Sequence, residues 1–127
     1  MRIIGVGTDI TETDRIGRMI ERHGELFLNR VYTDDEVLYC RDRKQYIQHY
    51  AGRWAAKEAV MKTLGTGWAK GVGWRDIEVV SQKSGAPVIA IHGGAKVVAD
   101  ELGITQILIT ISHCRAYATA TAIALGE

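Results

Sequence analysis

Several absences narrow what this chain can be. It has only two cysteines, Cys40 and Cys114. They form neither a C-x-x-C pair nor a disulfide framework, so a reducing compartment is expected and no metal site can be built from cysteine. No stretch approaches the roughly 18 consecutive apolar residues of a membrane span. The N-terminal residues meet Asp9 too soon to hold the apolar core of a signal peptide. A cytoplasmic protein is therefore expected. Sixteen basic residues against fifteen acidic ones leave a net charge of +1, which argues against a nucleic-acid footprint over the whole surface while allowing a local basic face. There is no internal repeat, low-complexity tract or linker.

What remains is an ordinary globular composition. With 46% hydrophobic and 24% charged residues in 127, the chain can bury a real core as a single domain spanning residues 1–127. Ile3 to Val6 reads as a short apolar strand ending in Gly7-Thr8-Asp9. Thr11 or Thr13 can cap a helix carrying Ile16, Met19 and Ile20 at helical spacing, with Gly24 as its stop. Thr33-Asp34-Asp35-Glu36 is a capping-box pattern before Val37 and Leu38. The longest helical stretch runs from Gln45 to Leu64, with Gly65 where a C-terminal cap belongs. Later segments read as strands over 76–80, 87–91, 106–112 and 117–125, with a short helix over 94–102. Alternating Ala and Thr in the last strand suggests one thinly packed or tightly approached face. Helices early and strands late make the fold class α+β.

Three features stand apart from this framework. In the long helix, Lys57 sits inside the apolar stripe of Tyr50, Trp54, Met61 and Leu64. An ammonium there must snorkel, pair with a carboxylate or meet an anionic ligand. Glu58 and Lys62 flank the stripe at i and i+4, as a plain helix ion pair or as groups for a metal and a phosphate; Arg53 extends the cationic strip. Asp9 closes the first strand, where a carboxylate is held by the sheet beside an open loop, in a metal site or as a simple loop residue. Gly5-Val6-Gly7 is no dinucleotide fingerprint, and Gly65-Thr66-Gly67 follows a helix, so it is no P-loop. Arg15, Arg18 and Arg22 repeat at helical spacing, a solvated face or a docking surface for an acidic partner. His113 can be structural, a phosphate ligand or a base.

Together these segments resemble the holo-acyl-carrier-protein synthases, the small bacterial 4′-phosphopantetheinyl transferases. Gly5 to Glu12 followed by Arg15-Ile16 is similar to the first motif of that family. Gly52-Arg53-Trp54-Ala55-Ala56-Lys57-Glu58-Ala59, with Lys62 and then Gly65-Thr66-Gly67, is similar to its second, and Ile111-Ser112-His113 to its third. The departures are small: Trp54 stands where phenylalanine is commoner, and Cys114 follows the histidine. The resemblance implies the 4′-phosphopantetheinyl transferase fold, an antiparallel sheet packed against a long helix. It implies transfer of the phosphopantetheine arm of coenzyme A to a serine of an acidic apo acyl carrier protein, in fatty acid biosynthesis. Asp9 and Glu58 would hold Mg²⁺, and Glu58 and Lys62 would be the catalytic pair. Arg53, Lys57, Lys62, Gly65 and His113 would contact coenzyme A, and Arg15, Arg18 and Arg22 would dock the carrier. A homotrimer with sites between subunits is implied; neither nucleic acid nor a membrane is. Set apart from the resemblance, the same residues suit a module gripping an acidic protein through its arginine helix, or a Mg²⁺-dependent nucleotide hydrolase.

Overall fold

Where the small residues fall decides how the elements stack. The computed structural model describes residues 1–67 and 71–127. Along the chain run β1 (Arg2–Glu12), α1 (Thr13–His23), α2 (Glu25–Val31), α3 (Asp34–Arg41) and α4 (Tyr46–Leu64). A 3₁₀ turn at Trp74–Asp76 leads into β2 (Ile77–Ser81), β3 (Pro87–Ile91), α5 (Gly93–Leu102), β4 (Ile104–His113) and β5 (Tyr117–Gly126). The strands form two antiparallel sheets, one in the order β1-β5-β4 and a smaller β2-β3 pair. The fold is α+β, with the long helix laid on the three-stranded sheet. Among the described residues no helix is long and apolar enough to cross a membrane.

Along β1 and β5 the sheet presents α4 with a floor of glycine and alanine, bordered on β4 by isoleucines. Ala118, Ala120, Ala122 and Ala124 of β5 are all buried, and their register partners include Gly7 on β1 and Ile107, Ile109 and Ile111 on β4. The tightly approached face read from the Ala/Thr alternation is thus the face that meets the helix. The approach is closest at Gly7, where an added Cβ would stand 2.0 Å from the Ala59 carbonyl oxygen. Crowding from every side explains why α4 buries Tyr50 through Lys57 without interruption.

Two expectations need correction. The first strand continues to Glu12, because β5 pairs with it as far as Glu12↔Tyr117. Thr11 therefore lies within the strand and caps nothing; its hydroxyl donates to Asp9 Oδ2 at 2.7 Å. Thr13 is the first residue of α1, not its cap, and its backbone N–H donates to the Ala116 carbonyl at 2.9 Å. Helix α2 was not anticipated. Its seven residues are too few for a periodic signal, and it is set off from α1 by Gly24 at φ 52°. The capping box of α3 forms as expected.

The far face of the large sheet is uncovered in the single chain. Val6 (60% exposed), Ile10 (66%) and Leu108 (44%) lie on it, alternating with the residues that meet α4.

The contact at Gly7 makes a sharp prediction. Gly7→Ala should destabilise by about 3 kcal/mol or more, since neither backbone can yield cheaply. Gly17→Ala, on a helix with only Ile47 side-chain atoms at 3.5 and 3.6 Å, should be neutral or slightly stabilising in the same urea titration.

Candidate functional site

Strand β1 runs down α4 as the helix number falls: Gly5 lies against Thr63, and Gly7 against Ala59 and Lys62. Asp9, the next residue on that face, is thereby carried beside the middle of the helix. Its Oδ1 lies 3.6 Å from Lys62 Nζ, while its Oδ2 accepts from Thr11. Lys62 Nζ also donates to the Thr8 carbonyl at 2.6 Å. Glu58 precedes Lys62 by one turn on the same side of α4 and is half-buried. Asp9 and Lys62 open into a depression of about 330 Å³ with Thr8, Ile10 and Thr119, at the margin of the uncovered sheet face. Gly65 ends the helix at φ 73°; no atom would meet an added Cβ within 4 Å, so conformation and not crowding calls for glycine there.

A second cluster gathers Arg53 and His113. Gly52 packs under Ile111 and His113, because a side chain at that position would crowd Ile111 at 3.0 Å. Arg53 is 5% exposed, its Nη2 donates to Ser81 Oγ at 3.1 Å, and its guanidinium lies 3.9 Å from the Tyr39 ring centroid. Arg43 shares the same ring at 3.7 Å. His113 Nδ1 meets Gln48 Oε1 at 2.9 Å, and its ring lies edge-on to His49 with centroids 5.1 Å apart. Tyr39, His49, Arg53, Ser81 and His113 line a cleft of about 240 Å³ whose walls carry no carboxylate among the described residues.

Helix α4 separates the two clusters. Arg53 and Lys62 are nine positions apart, which at 100° per residue is half a turn of the helix wheel. The sheet below repeats the division: Asp9 and Ile111 both pair with Ala120 from opposite sides of β5, about 10 Å apart at two strand spacings.

Lys57 must be removed from the expected coenzyme A contacts. It is fully buried, and its ammonium is satisfied within the protein: Glu36 Oε1 at 2.8 Å, the Trp74 carbonyl at 3.1 Å and the Ile77 carbonyl. Glu36 is equally buried. It accepts from Thr33 N in the capping box and from Val79 N on β2. Burial pushes the Lys57 pKa below its ordinary value, and the adjacent Glu36 carboxylate opposes that shift. Of the three fates open to this lysine, pairing with a carboxylate is the one realised.

Arg15, Arg18 and Arg22 are all exposed on α1. The Arg15 guanidinium lies 5.5 Å from the Trp54 ring centroid, and Trp54 stacks on Trp74 at 4.3 Å. Cys40 is buried, with its thiol pushed up to about 12 by that burial, and is inert; Cys114 is exposed. The sequence reading missed Tyr39, Arg43, His49, Ser81 and the partner role of Glu36. His49 precedes Arg53 by one helical turn, a signal that was available; Ser81 and Glu36 arrive from distant segments and left none.

Comparison with known proteins shows the family and the fold. A profile described as the 4′-phosphopantetheinyl transferase superfamily matches residues 5–122. A holo-[acyl-carrier-protein] synthase of Chlamydia pneumoniae is 48% identical over 99% of this chain and 100% of its own. The crystal structure of the Neisseria meningitidis holo-[acyl-carrier-protein] synthase superposes with a TM-score of 0.89 at 30% identity, covering 98% of this chain and 99% of that one. A Bacillus anthracis holo-(acyl-carrier-protein) synthase solved in complex with CoA (3′,5′-ADP) is 31% identical, with a TM-score of 0.81 and 98% of both chains covered.

The contrast between the two lysines of α4 is testable. Lys57→Met leaves the Glu36 carboxylate buried without its cation and should cost about 3–5 kcal/mol in chemical denaturation. Lys62→Met, at a half-exposed side chain, should cost less than about 1 kcal/mol.

Proposed function

This chain belongs to the 4′-phosphopantetheinyl transferase superfamily as a holo-acyl-carrier-protein synthase, and we propose that it draws the phosphopantetheine arm from coenzyme A. The serine hydroxyl of an apo carrier attacks the phosphorus that bears pantetheine. The bond to the second phosphate breaks, adenosine 3′,5′-bisphosphate leaves, and the serine proton passes to solvent or a nearby base. Coenzyme A complexes among solved relatives support coenzyme A as the donor.

Asp9, Glu58 and Lys62 would meet the diphosphate. Two carboxylates with an ammonium beside them suit Mg²⁺, which keeps waters and takes substrate phosphate oxygens instead of a closed protein cage. Among the described residues no group of three or more His, Cys, Asp or Glu forms such a cage. Bound there by Asp9 and Glu58, Mg²⁺ would neutralise charge developing on the leaving phosphate. Lys62 adds a fixed cation at the same place. Its contacts to Asp9 and the Thr8 carbonyl aim the ammonium before substrate arrives, and such preorganised charge is what phosphoryl transfer chiefly requires. Gly65 would let the loop backbone approach coenzyme A, and Arg53 and His113 would receive the nucleotide end.

The observation that carries the assembly is the division of these groups by α4. A ligand held by Asp9 and Lys62 faces away from Arg53 and His113 of its own chain. A second copy seated on the uncovered sheet face, beside Asp9, would bring its own Arg53 and His113 to the ligand. We therefore read the sites as lying between subunits; that the assembly is a homotrimer is what the family resemblance implies. The exposed arginines of α1 offer the acidic carrier a complementary face. Free cysteines and the absence of a membrane-crossing helix among the described residues are in keeping with a cytoplasmic enzyme serving fatty acid biosynthesis.

Intact-mass measurement of an apo carrier with coenzyme A and Mg²⁺ tests the reaction. A gain of about 340 Da, the mass of the arm, is expected, with Asp9→Ala and Glu58→Ala inactive because charge stabilisation is lost. Mixing Asp9→Ala with His113→Ala subunits should restore part of the activity, since some interfaces then hold both intact halves; no recovery would reject sites between subunits. Arg15→Glu with Arg22→Glu should raise KM for the carrier at least ten-fold while leaving KM for coenzyme A unchanged.

A further inference from the structure

The cleft around Arg53 holds more positive charge than one buried guanidinium needs. Arg43 and Arg53 share the Tyr39 ring, and the imidazoles of His49 and His113 meet edge-on. His49 also lies edge-on to Tyr39, with centroids 5.7 Å apart. The charged and titratable groups facing it are Tyr39 from α3, Arg43 from the segment after α3, Arg53 from α4 and His113 at the end of β4. Every one of them is cationic or neutral. The remaining polar neighbour, Gln48, is engaged: its Oε1 accepts from His113 Nδ1, and its Nε2 donates to Gln45 Oε1. Among the described residues, Arg53 Nε is a buried donor with no partner. Asp35 lines the adjoining hollow with Tyr39 and Arg53, while the cleft of His49 and His113 has no carboxylate among the described residues; an anion entering that cleft would meet the unmade Arg53 donor.

We propose that His49 is a proton-linked anion-binding residue, taking up a proton when a dianionic phosphate monoester enters the cleft beside Arg53 and His113. The proposal rests on the placing of the nucleotide end of coenzyme A at Arg53 and His113. It adds that the 3′-phosphate is read there by a second imidazole whose charge depends on occupancy. In the free protein, burial, and then the charges of His113, Arg53 and Arg43, hold the His49 pKa below its ordinary value. These surroundings therefore favour the uncharged ring in the free protein. A dianion within hydrogen-bonding reach reverses the sign of the local field and favours the imidazolium. The pKa in the complex then exceeds that in the free protein, so the added affinity is present below the bound-state pKa and is lost as pH rises through it. Protonation of the phosphate itself, with a second pKa near 6, sets the lower edge of the window.

Calorimetric titration of the whole enzyme with adenosine 3′,5′-bisphosphate and with adenosine 5′-monophosphate, from about pH 6 to pH 8.5, tests this, because phosphate and imidazole both titrate within that range. Repeating each titration in buffers of different ionisation enthalpy counts the protons taken up. The wild type should bind the bisphosphate with net proton uptake and the monophosphate with less. His49→Gln keeps polarity and size near those of the imidazole but cannot charge. It should lose roughly ten-fold in bisphosphate affinity near pH 6.5, the scale of one charge-assisted hydrogen bond, and little near pH 8.5. The His49 imidazole resonances of the wild type should titrate at higher pH with bisphosphate bound than without, a readout that needs no substitution. An unaltered pH slope in His49→Gln, or an imidazole whose titration the ligand does not move, overturns the proposal while leaving the nucleotide end where it was placed. Equal binding of the two nucleotides by the wild type overturns that placement as well.

Discussion

Helix α4 lies directly on its sheet, and nearly everything else in the molecule follows from that contact. Gly5 and Gly7 on β1 and the alanines of β5 remove side chains from the floor, so the helix backbone approaches the strands at van der Waals distance. A helix held this close cannot rotate or slide without meeting backbone. Its side chains are therefore aimed by the sheet, with Lys62 directed to Asp9 and the Thr8 carbonyl of β1 and Arg53 toward the cleft it shares with His113. Larger side chains in the floor would lift the helix and blur both directions.

Two cations on neighbouring turns of α4 show how environment divides similar residues. Lys57 finds the capping-box carboxylate of Glu36 and two backbone carbonyls, so its charge is consumed within the protein. The pair ties α3, α4 and the start of β2 together, and it does so at a desolvation cost to both ions. Arg53, one turn earlier, is also buried but meets a hydroxyl and an aromatic face. Arginine tolerates such a site better than lysine because its charge is delocalised and weakly hydrated. Its unspent hydrogen-bonding capacity is what suits it to a ligand.

On the reading proposed above, the helix also explains why one chain alone would hold incomplete chemistry. A ridge that separates Asp9 from the cationic cleft prevents Asp9 and Arg53 from neutralising each other within the fold. The same separation suits a donor such as coenzyme A, whose diphosphate and nucleotide end need different partners several ångströms apart. Assembly through the uncovered sheet face would bring the two halves together without either being quenched in the folded monomer.

Much of this was legible in the residues themselves. Capping chemistry and glycine stops marked α3 and α4, apolar alternation marked the later strands, and the blocks around Asp9, Lys57-Glu58 and His113 carried the family resemblance. Strand β1 was read too short because its polar, glycine-rich second half is stabilised by pairing with β5, a partner more than a hundred residues away. Helix α2 was lost because two turns hold too little periodicity. Local sequence determined most of the elements, the family and the side chains able to carry charge, since caps, periodicity and motif spacing act over a few residues. Only the tertiary structure decided which charge meets which. Glu36 reaches Lys57, and His49 meets His113, across segments that no local pattern connects, and electrostatics depends on distance in space rather than along the chain.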